Sequence, residues 1–513
     1  MLAGSRRRVA LFALTAVLVG TTGCAPKADE PPGPRLVVLF ATCTLSRHYI
    51  APYNAEVPYT PHLAAFAAEG TVFERHQSES GQSGLAFASI LSGTQADRHG
   101  VYRHPYWLRD EAFLVAEAFA ERGYETHFWN GHPMAAADLN YGQGVRPEHV
   151  HTSRHPEPDK GRLTANDEEF AAILQRLRTE PDYRAYVQVL FSMTHAPYTD
   201  IALEPLEEFR RTYPDEWPEF TEDELARYTR RYQRQRPRLE RDFPEVVRER
   251  RWTTADIEGI ASFIEGYYKA NVHALDTWFG RLVGSIREAG LLDDSLIAFT
   301  ADHGETLYRE HTIFKWAHGL QLSPDVIQVP LIVRLPGQGG LPRYPGLTRS
   351  IDVHPTLLGL SALPLQKGDA RIDGVDLSAA VREREPGPHL LAFSHTMALN
   401  WQRLVRFEGW LAAQLFPSTD VDLMWTAVRD EDAWMRRRRH ENGDWSTEVF
   451  DLATDPGAAR DVYDPENGLH RELEGELASY KARLVESHAL LEEEHRLREE
   501  LVEERLRAMG YIQ

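Results

Sequence analysis

The feature that most limits what this chain can fold into is the alternation of short apolar runs with longer stretches of helical periodicity. Leu36–Ala41, His127–Trp129, Tyr186–Phe191, Leu296–Thr300 and Val329–Arg334 are brief and rich in β-branched and aromatic residues, the composition expected of buried strands. Helical patterns lie between them. Thr60 caps one helix with Pro61 at its first position and Gly70 at its end, and Ala112–Arg122 forms another. Ile257, Ile260, Ile264, Tyr267, Leu275, Phe279, Leu282 and Ile286 then recur at helical spacing until Gly290. Such an order predicts an α/β fold, with a central, mostly parallel sheet flanked by helices. The 513 residues suffice for one large core and a smaller domain.

Two segments break this rhythm. Residues 203–251 are dense in Glu and Arg with scattered aromatics, and predict a helical insertion that either coats the surface or caps a site; the mixed charge favours the coat. From Leu469 to Met509, Leu469, Leu473, Leu477, Leu484, Leu491 and Leu497 recur among charges. That pattern predicts a long amphipathic helix, which docks on its own domain or pairs with another subunit as an oligomer contact.

The N-terminus has the form of an export signal. Arg6, Arg7 and Arg8 precede the apolar stretch Val9–Gly20, then Thr21, Thr22, Gly23 and Cys24. The apolar run is shorter than the roughly 20 residues of a spanning helix. Small residues ahead of a Cys match bacterial lipoprotein processing, in which Cys24 carries the lipid; plain secretion and an uncleaved anchor are the alternatives. Residues 1–23 are therefore expected to be a signal peptide and 24–35 a Pro-rich tether. The protein is then held by its lipid on the periplasmic side of the cell envelope. The chain has 2 cysteines, so a lipidated Cys24 leaves Cys43 a lone thiol. A formal charge of −20 repels phosphate backbones and argues against a nucleic-acid partner, leaving small molecules.

Stretches between Leu36 and Pro456, taken in order, resemble the sulfatase pattern of the alkaline phosphatase superfamily. They are Leu36–Leu45; Gly70–Phe73 with Ser80–Gly93 and Arg98–Val101; Thr194–Tyr198; Thr300–Glu305 with His318–Gly319 and Val329–Ile332; and Asp352–Leu358 with Val449–Pro456. The resemblance implies an alkaline-phosphatase-like sandwich over 36–385, a small C-terminal α+β subdomain over 386–465 and a terminal helix over 466–513. It also implies a hydrolase or transferase acting on the sulfate or phosphate ester of a small molecule or glycan.

By position in that pattern Ser83 matches the nucleophile. Ser83 also precedes an apolar helical run, where its hydroxyl and the free N–H groups of a helix start face an anion; an ordinary N-cap serine is the simpler alternative. Asp302 and His303 leave a buried strand at the sheet edge where α/β folds bind ligands, and suit a metal as oxygen and nitrogen donors. His195 and His318 match family positions that contact the transferred group or the leaving oxygen, and a histidine can serve there as an acid. Lys315 is a candidate oxyanion clamp, and His99 a candidate substrate contact with His104 and His132 behind it.

The sequence departs from the family pattern twice. Where the first strand normally ends in metal-binding Asp, this chain has Cys43 and Thr44. Calcium wants several carboxylates, whereas Cys43, Asp302, His303 and the Ser83 oxygen form a four-donor set suited to one zinc-like divalent ion. A small buried hydrophobe at a strand end is the alternative for Cys43. Sulfatases that mature their nucleophile to formylglycine resemble Cys or Ser, any residue, Pro or Ala, any residue, Arg. Here Leu85 and Phe87 replace both recognition residues, so no formylglycine is expected and Ser83 would act unmodified. A degenerate relative that binds a sulfated glycan or anionic head group without turnover is the second reading.

Overall fold

The structure is a computed structural model that describes residues 33–102, 106–152, 164–241, 243–309, 312, 315–319, 321–337, 340–363, 372–383, 386–397, 423–440 and 444–508. The expected signal peptide, Cys24, most of the tether and His104 lie outside them.

An eight-stranded sheet forms the centre. Its strands are β1 (Leu36–Thr42), β2 (Thr71–Gln77), β3 (Glu125–Asn130), β4 (Val150–Thr152), β5 (Ala185–Phe191), β6 (Ser295–Ala301), β7 (Leu331–Arg334) and β8 (Arg343–Arg349), in the order β4-β3-β5-β1-β6-β7-β2-β8. β1 lies between parallel partners β5 and β6, and all of its residues are buried. The alternation of side chains along a strand divides the core in two. Val38 and Phe40 join the layer under the long helix Thr254–Glu288, whereas Val37, Leu39 and Ala41 join the layer under the helix Ser83–Ser92. In the first layer Phe40 stacks on Phe299, with centroids 5.4 Å apart, and meets Trp278 and Phe279 of the long helix.

The long helix starts where its chemistry requires. Thr253 Oγ1 accepts from Asp256 N at 3.2 Å and Asp256 Oδ2 accepts from Thr253 N at 3.1 Å, a reciprocal cap. The second predicted helix is shorter than Ala112–Arg122 and spans Val115–Ala120. A smaller antiparallel sheet follows the central one: β9 (Leu391–Met397), β10 (Leu423–Asp430), β11 (Ala433–Arg439) and β12 (Trp445–Asp451), in the order β12-β11-β10-β9.

Residues 203–251 fold as the helices Leu203–Thr212, Glu222–Arg241 and Phe243–Arg250. They do more than coat the surface. Phe209, Tyr228, Tyr232, Leu239, Phe243 and Val246 are buried in the same cluster as Ile260, Phe263 and Ile264 of the long helix. The terminal helix runs Gly468–Ala508. Leu473, Leu477, Tyr480 and Leu484 are buried against their own chain, and Tyr480 OH lies 2.8 Å from His395 Nδ1 on β9.

Candidate active site

β1 and β6 run parallel with Thr42 beside Ala301, so their exits deliver Cys43 and Asp302 side by side. Thr44 then turns into the left-handed region at φ 57°, which a β-branched residue seldom adopts. This turn aims the Thr44 N–H at Asp302 Oδ1, 3.1 Å away, and the His303 N–H donates to the same oxygen at 2.6 Å. The third piece is the loop ahead of the helix Ser83–Ser92. Ser78 Oγ donates to the Asp302 carbonyl at 2.5 Å, Ser80 Oγ to the His395 carbonyl at 2.8 Å, and Gln82 Nε2 to the carbonyls of Gly319 and Met397 at 2.9 and 2.7 Å. A Cβ at Gly81 would sit 2.7 Å from Val326 Cγ1, so the loop needs glycine there. Gln82 is the N-cap, and Ser83 is the buried first residue of the helix.

Four side chains predicted from separate parts of the sequence meet here. Ser83 Oγ is 3.0 Å from His303 Nε2 and 3.4 Å from Cys43 Sγ, and Cys43 Sγ is 4.0 Å from His303 Nε2. Asp302 Oδ2 lies 3.4 Å from His303 Nε2. The Gly304 carbonyl, 2.9 Å from His303 Nδ1, can only accept; Nδ1 therefore carries the proton and Nε2 presents a lone pair. Asp302 Oδ2 is buried with no hydrogen-bond partner. Burial, reinforced by the neighbouring Asp302, pushes the Cys43 thiol well up, and burial also raises the Asp302 carboxyl.

A layer of histidines adjoins this group. The His318 ring stacks on His303 with centroids 4.6 Å apart and meets His195 at 4.9 Å. His195 Nδ1 is 2.5 Å from the Ala196 carbonyl. His318 Nδ1 is 3.1 Å from Glu305 Oε2, which also accepts from Tyr198 OH at 2.7 Å. Burial, with His303 and Arg236 nearby, holds His318 well below the usual imidazole range, so it is neutral. Burial raises Glu305 to about 7.

The described bonds of Lys315 and His99 lie outside the group. Lys315 Nζ donates to the Arg309 carbonyl and, at 2.5 Å, to the Thr312 carbonyl, bracing its own loop. His99 Nε2 is 3.1 Å from Ser89 Oγ, and its Nδ1 accepts from Val101 N at 3.0 Å. Nε2 thus supports the back of the helix and Nδ1 the turn after His99, and burial lowers the ring to about 3. His132, ranked low from sequence, is at the site: Cys43, His132 and Asp302 each place a ligand atom within 4.8 Å of the others. Its Nδ1 accepts from Met134 N, which leaves Nε2 protonated and fits His132 as a donor better than as a ligand. Phe87 stands 5.2 Å from the His132 ring, and Leu85 and Phe87 are both fully buried. Glu305 and Tyr198 belong to stretches that resemble the family pattern, but Arg236 carried no local signal.

A family model for sulfatases matches residues 35–362. The chain belongs to the sulfatase family. An ulvan-active sulfatase of Formosa agariphila is 23% identical over 387 residues, covering 70% of this chain and 67% of that protein. Other matches are shorter: a choline-sulfatase of Rhizobium meliloti is 35% identical but covers 21% of this chain and 20% of its own. Among solved structures, a phosphonate monoester hydrolase of Agrobacterium radiobacter superposes with a TM-score of 0.60 at 19% identity, covering 88% of this chain and 96% of its own. A protein solved with its substrate D-glucosamine-2-N,6-O-disulfate gives 0.61 at 15%, covering 88% and 98%. These two share the fold.

Sulfatase-family enzymes use metal ions, and the residues present here fit one. The unprotonated His303 Nε2 and the Cys43 sulfur converge on Ser83 Oγ, and the unpartnered Asp302 oxygen lies 3.4 Å from that nitrogen. An S, N and O donor set with a single ligating carboxylate suits a borderline-soft ion and disfavours calcium.

Proposed function

We propose that this sulfatase-family protein hydrolyses a sulfate or phosphate ester, on a small molecule or glycan, with unmodified Ser83 as nucleophile. The observation that carries the reading is the convergence of Ser83 Oγ, His303 Nε2 and Cys43 Sγ within 4.0 Å of one another. Cys43, Asp302 and His303 would hold one zinc-like ion. When bound, such an ion withdraws charge from the oxygens of the transferred group and keeps the thiol deprotonated.

The chain's own groups carry the remaining steps. Ser83 Oγ attacks sulfur or phosphorus as its proton leaves through the adjoining histidine layer, where His318 stacks on His303 and hands on to Glu305. The bond from sulfur or phosphorus to the ester oxygen breaks, and the departing alcohol gains a proton with His195 at hand. Water then attacks the seryl ester, returning Ser83 and releasing inorganic sulfate or phosphate. His132 Nε2–H donates toward the anion in place of the positive charge lost where Phe87 replaces Arg. The unmodified serine favours phosphate or phosphonate over sulfate; the fold itself is shared with proteins of both kinds. Lipidation of Cys24 would hold this activity at the periplasmic face of the cell envelope.

Purified full-length protein loaded with zinc should hydrolyse aryl phosphate, phosphonate or sulfate esters. Ser83→Ala should lower kcat on the order of 10⁴-fold or more while retaining metal. Cys43→Asp should shift the metal preference from zinc toward manganese or calcium. Metal binding without turnover across that panel would instead establish a binding protein for anionic glycans or head groups.

A further inference from the structure

A second group of ligand-type side chains lies at the opposite edge of the sheet from β8, where β3 meets the three-residue strand β4. Glu125 and His127 alternate along β3 and so share one face. His149 ends the turn Pro147–His149 that leads into β4. Glu125, His127 and His149 place their ligand atoms within 4.8 Å of one another, and the rings of His127 and His149 stack with centroids 4.3 Å apart.

The tautomers are set by carboxylate and carbonyl neighbours. His127 Nδ1 lies 2.9 Å from Glu169 Oε1, and that carboxyl is held below its usual range even though burial opposes this, by His127 and His151 beside it. An ionised carboxylate accepts, so His127 Nδ1 carries a proton and Nε2 is the nitrogen turned toward Glu125, the one a metal would take on losing any proton there. The ring is 3% exposed, and this Nε2 has no hydrogen-bond partner; it sits 3.3 Å from Glu125 Oε1. His149 Nδ1 donates to the Thr126 carbonyl at 3.2 Å, which frees its Nε2 as well. Glu125 is oriented by Tyr183 OH and Arg176 Nη1, 2.9 and 2.7 Å from Oε1. Trp129 Nε1 donates to Glu169 Oε2 at 3.2 Å. A carboxylate behind a ligating histidine is the outer support that metal sites use to fix ring and tautomer.

A cation already stands against this set. Arg146 Nη2 lies 3.2 Å from Glu125 Oε2 and 3.5 Å from His149 Nε2, its Nε lies 3.7 Å from Glu148, and the side chain is 60% exposed. We propose that Glu125, His127 and His149 form a second divalent transition-metal site, of the His–His–carboxylate type that zinc accepts, with its fourth position open to water. Zinc bonds of about 2.0–2.2 Å require only that the three ligand atoms draw together by roughly an ångström. The metal would tie the edge strand β4 to β3, a structural role separate from the Ser83 site.

Cobalt titration of the full chain, followed by absorption, tests this. The variant carrying Cys43→Ser and Asp302→Asn should retain one equivalent, with d–d bands and no thiolate-to-cobalt charge transfer. His149→Ala and His127→Ala in that background should lose it, and Arg146→Ala should tighten it. His149 is half-buried, so its variant keeps the result readable if His127→Ala fails to fold. Should the Ser83 site bind nothing, unaltered protein would take one equivalent instead of two, and the same histidine variants still decide. No cobalt uptake in the Cys43→Ser, Asp302→Asn background would overturn the proposal. So would a spectrum unchanged by His149→Ala, or uptake seen only after Arg146 is removed.

Discussion

At the scale of single residues, the same burial that assembles the site sets its protonation. Cys43 and Asp302 are fully buried, and both are pushed toward their protonated forms. A metal-free site therefore tends to neutrality, and an ion recovers the desolvation cost of each anion it binds. Asp276 on the long helix shows the same cost at a structural position. Its oxygens accept from His62 N at 3.1 Å and Leu63 N at 2.7 Å, closing the start of the helix Pro61–Ala68, yet burial raises its carboxyl from 3.8 to about 7. A raised carboxyl favours the folded state fully below its unfolded value, and that contribution is lost as pH climbs through about 7. Wild type should lose stability on the order of a few kcal/mol between about pH 4 and pH 7 from this group. Denaturant melts of Asp276→Asn should lack that decline; an unchanged pH profile would refute the assignment.

At the scale of elements, the strands that carry the site were legible because β1, β5 and β6 are buried on both faces and read as continuous apolar runs. β7 was legible as a strand, but its antiparallel direction was not, since an apolar run carries no sign of direction. β8 (Arg343–Arg349) escaped notice because Pro345 and Gly346 interrupt it, which an edge strand tolerates. Within the site, Ser83, Asp302, His303 and Cys43 lay in motifs, whereas Arg236 arrives on an insertion whose Glu and Arg masked its buried aromatics. The terminal helix gives this reasoning a quantitative test. Leu477 is 1% exposed and packs in the core, while Leu490 on the same helix is 76% exposed. Leu477→Ala should cost about 2–5 kcal/mol and Leu490→Ala no more than about 0.5 kcal/mol. Equal effects in chemical denaturation would mean that this helix face does not dock as described.

At the scale of the whole molecule, the Ser83 site is a joint. It gathers the exits of β1 and β6 and the start of the helix Ser83–Ser92, and the loop leading into that helix is bonded to β9 of the small sheet through Ser80 and Gln82. An ion shared by Cys43, Asp302 and His303 would link these elements at their common point, and would bind the folded chain alone because unfolding separates residues 43 and 302 along the sequence. Linkage then fixes the size of the effect: zinc at about 100 times its Kd should add about 2.7 kcal/mol. Scanning calorimetry should show the transition moving up with zinc and returning on chelation, and the shift should shrink in Cys43→Ser. Since the proposed β3–β4 site would respond to zinc as well, His149→Ala is the background in which to measure it. A transition indifferent to zinc there would mean that the cysteine is a packing residue and the catalytic reading must do without its metal.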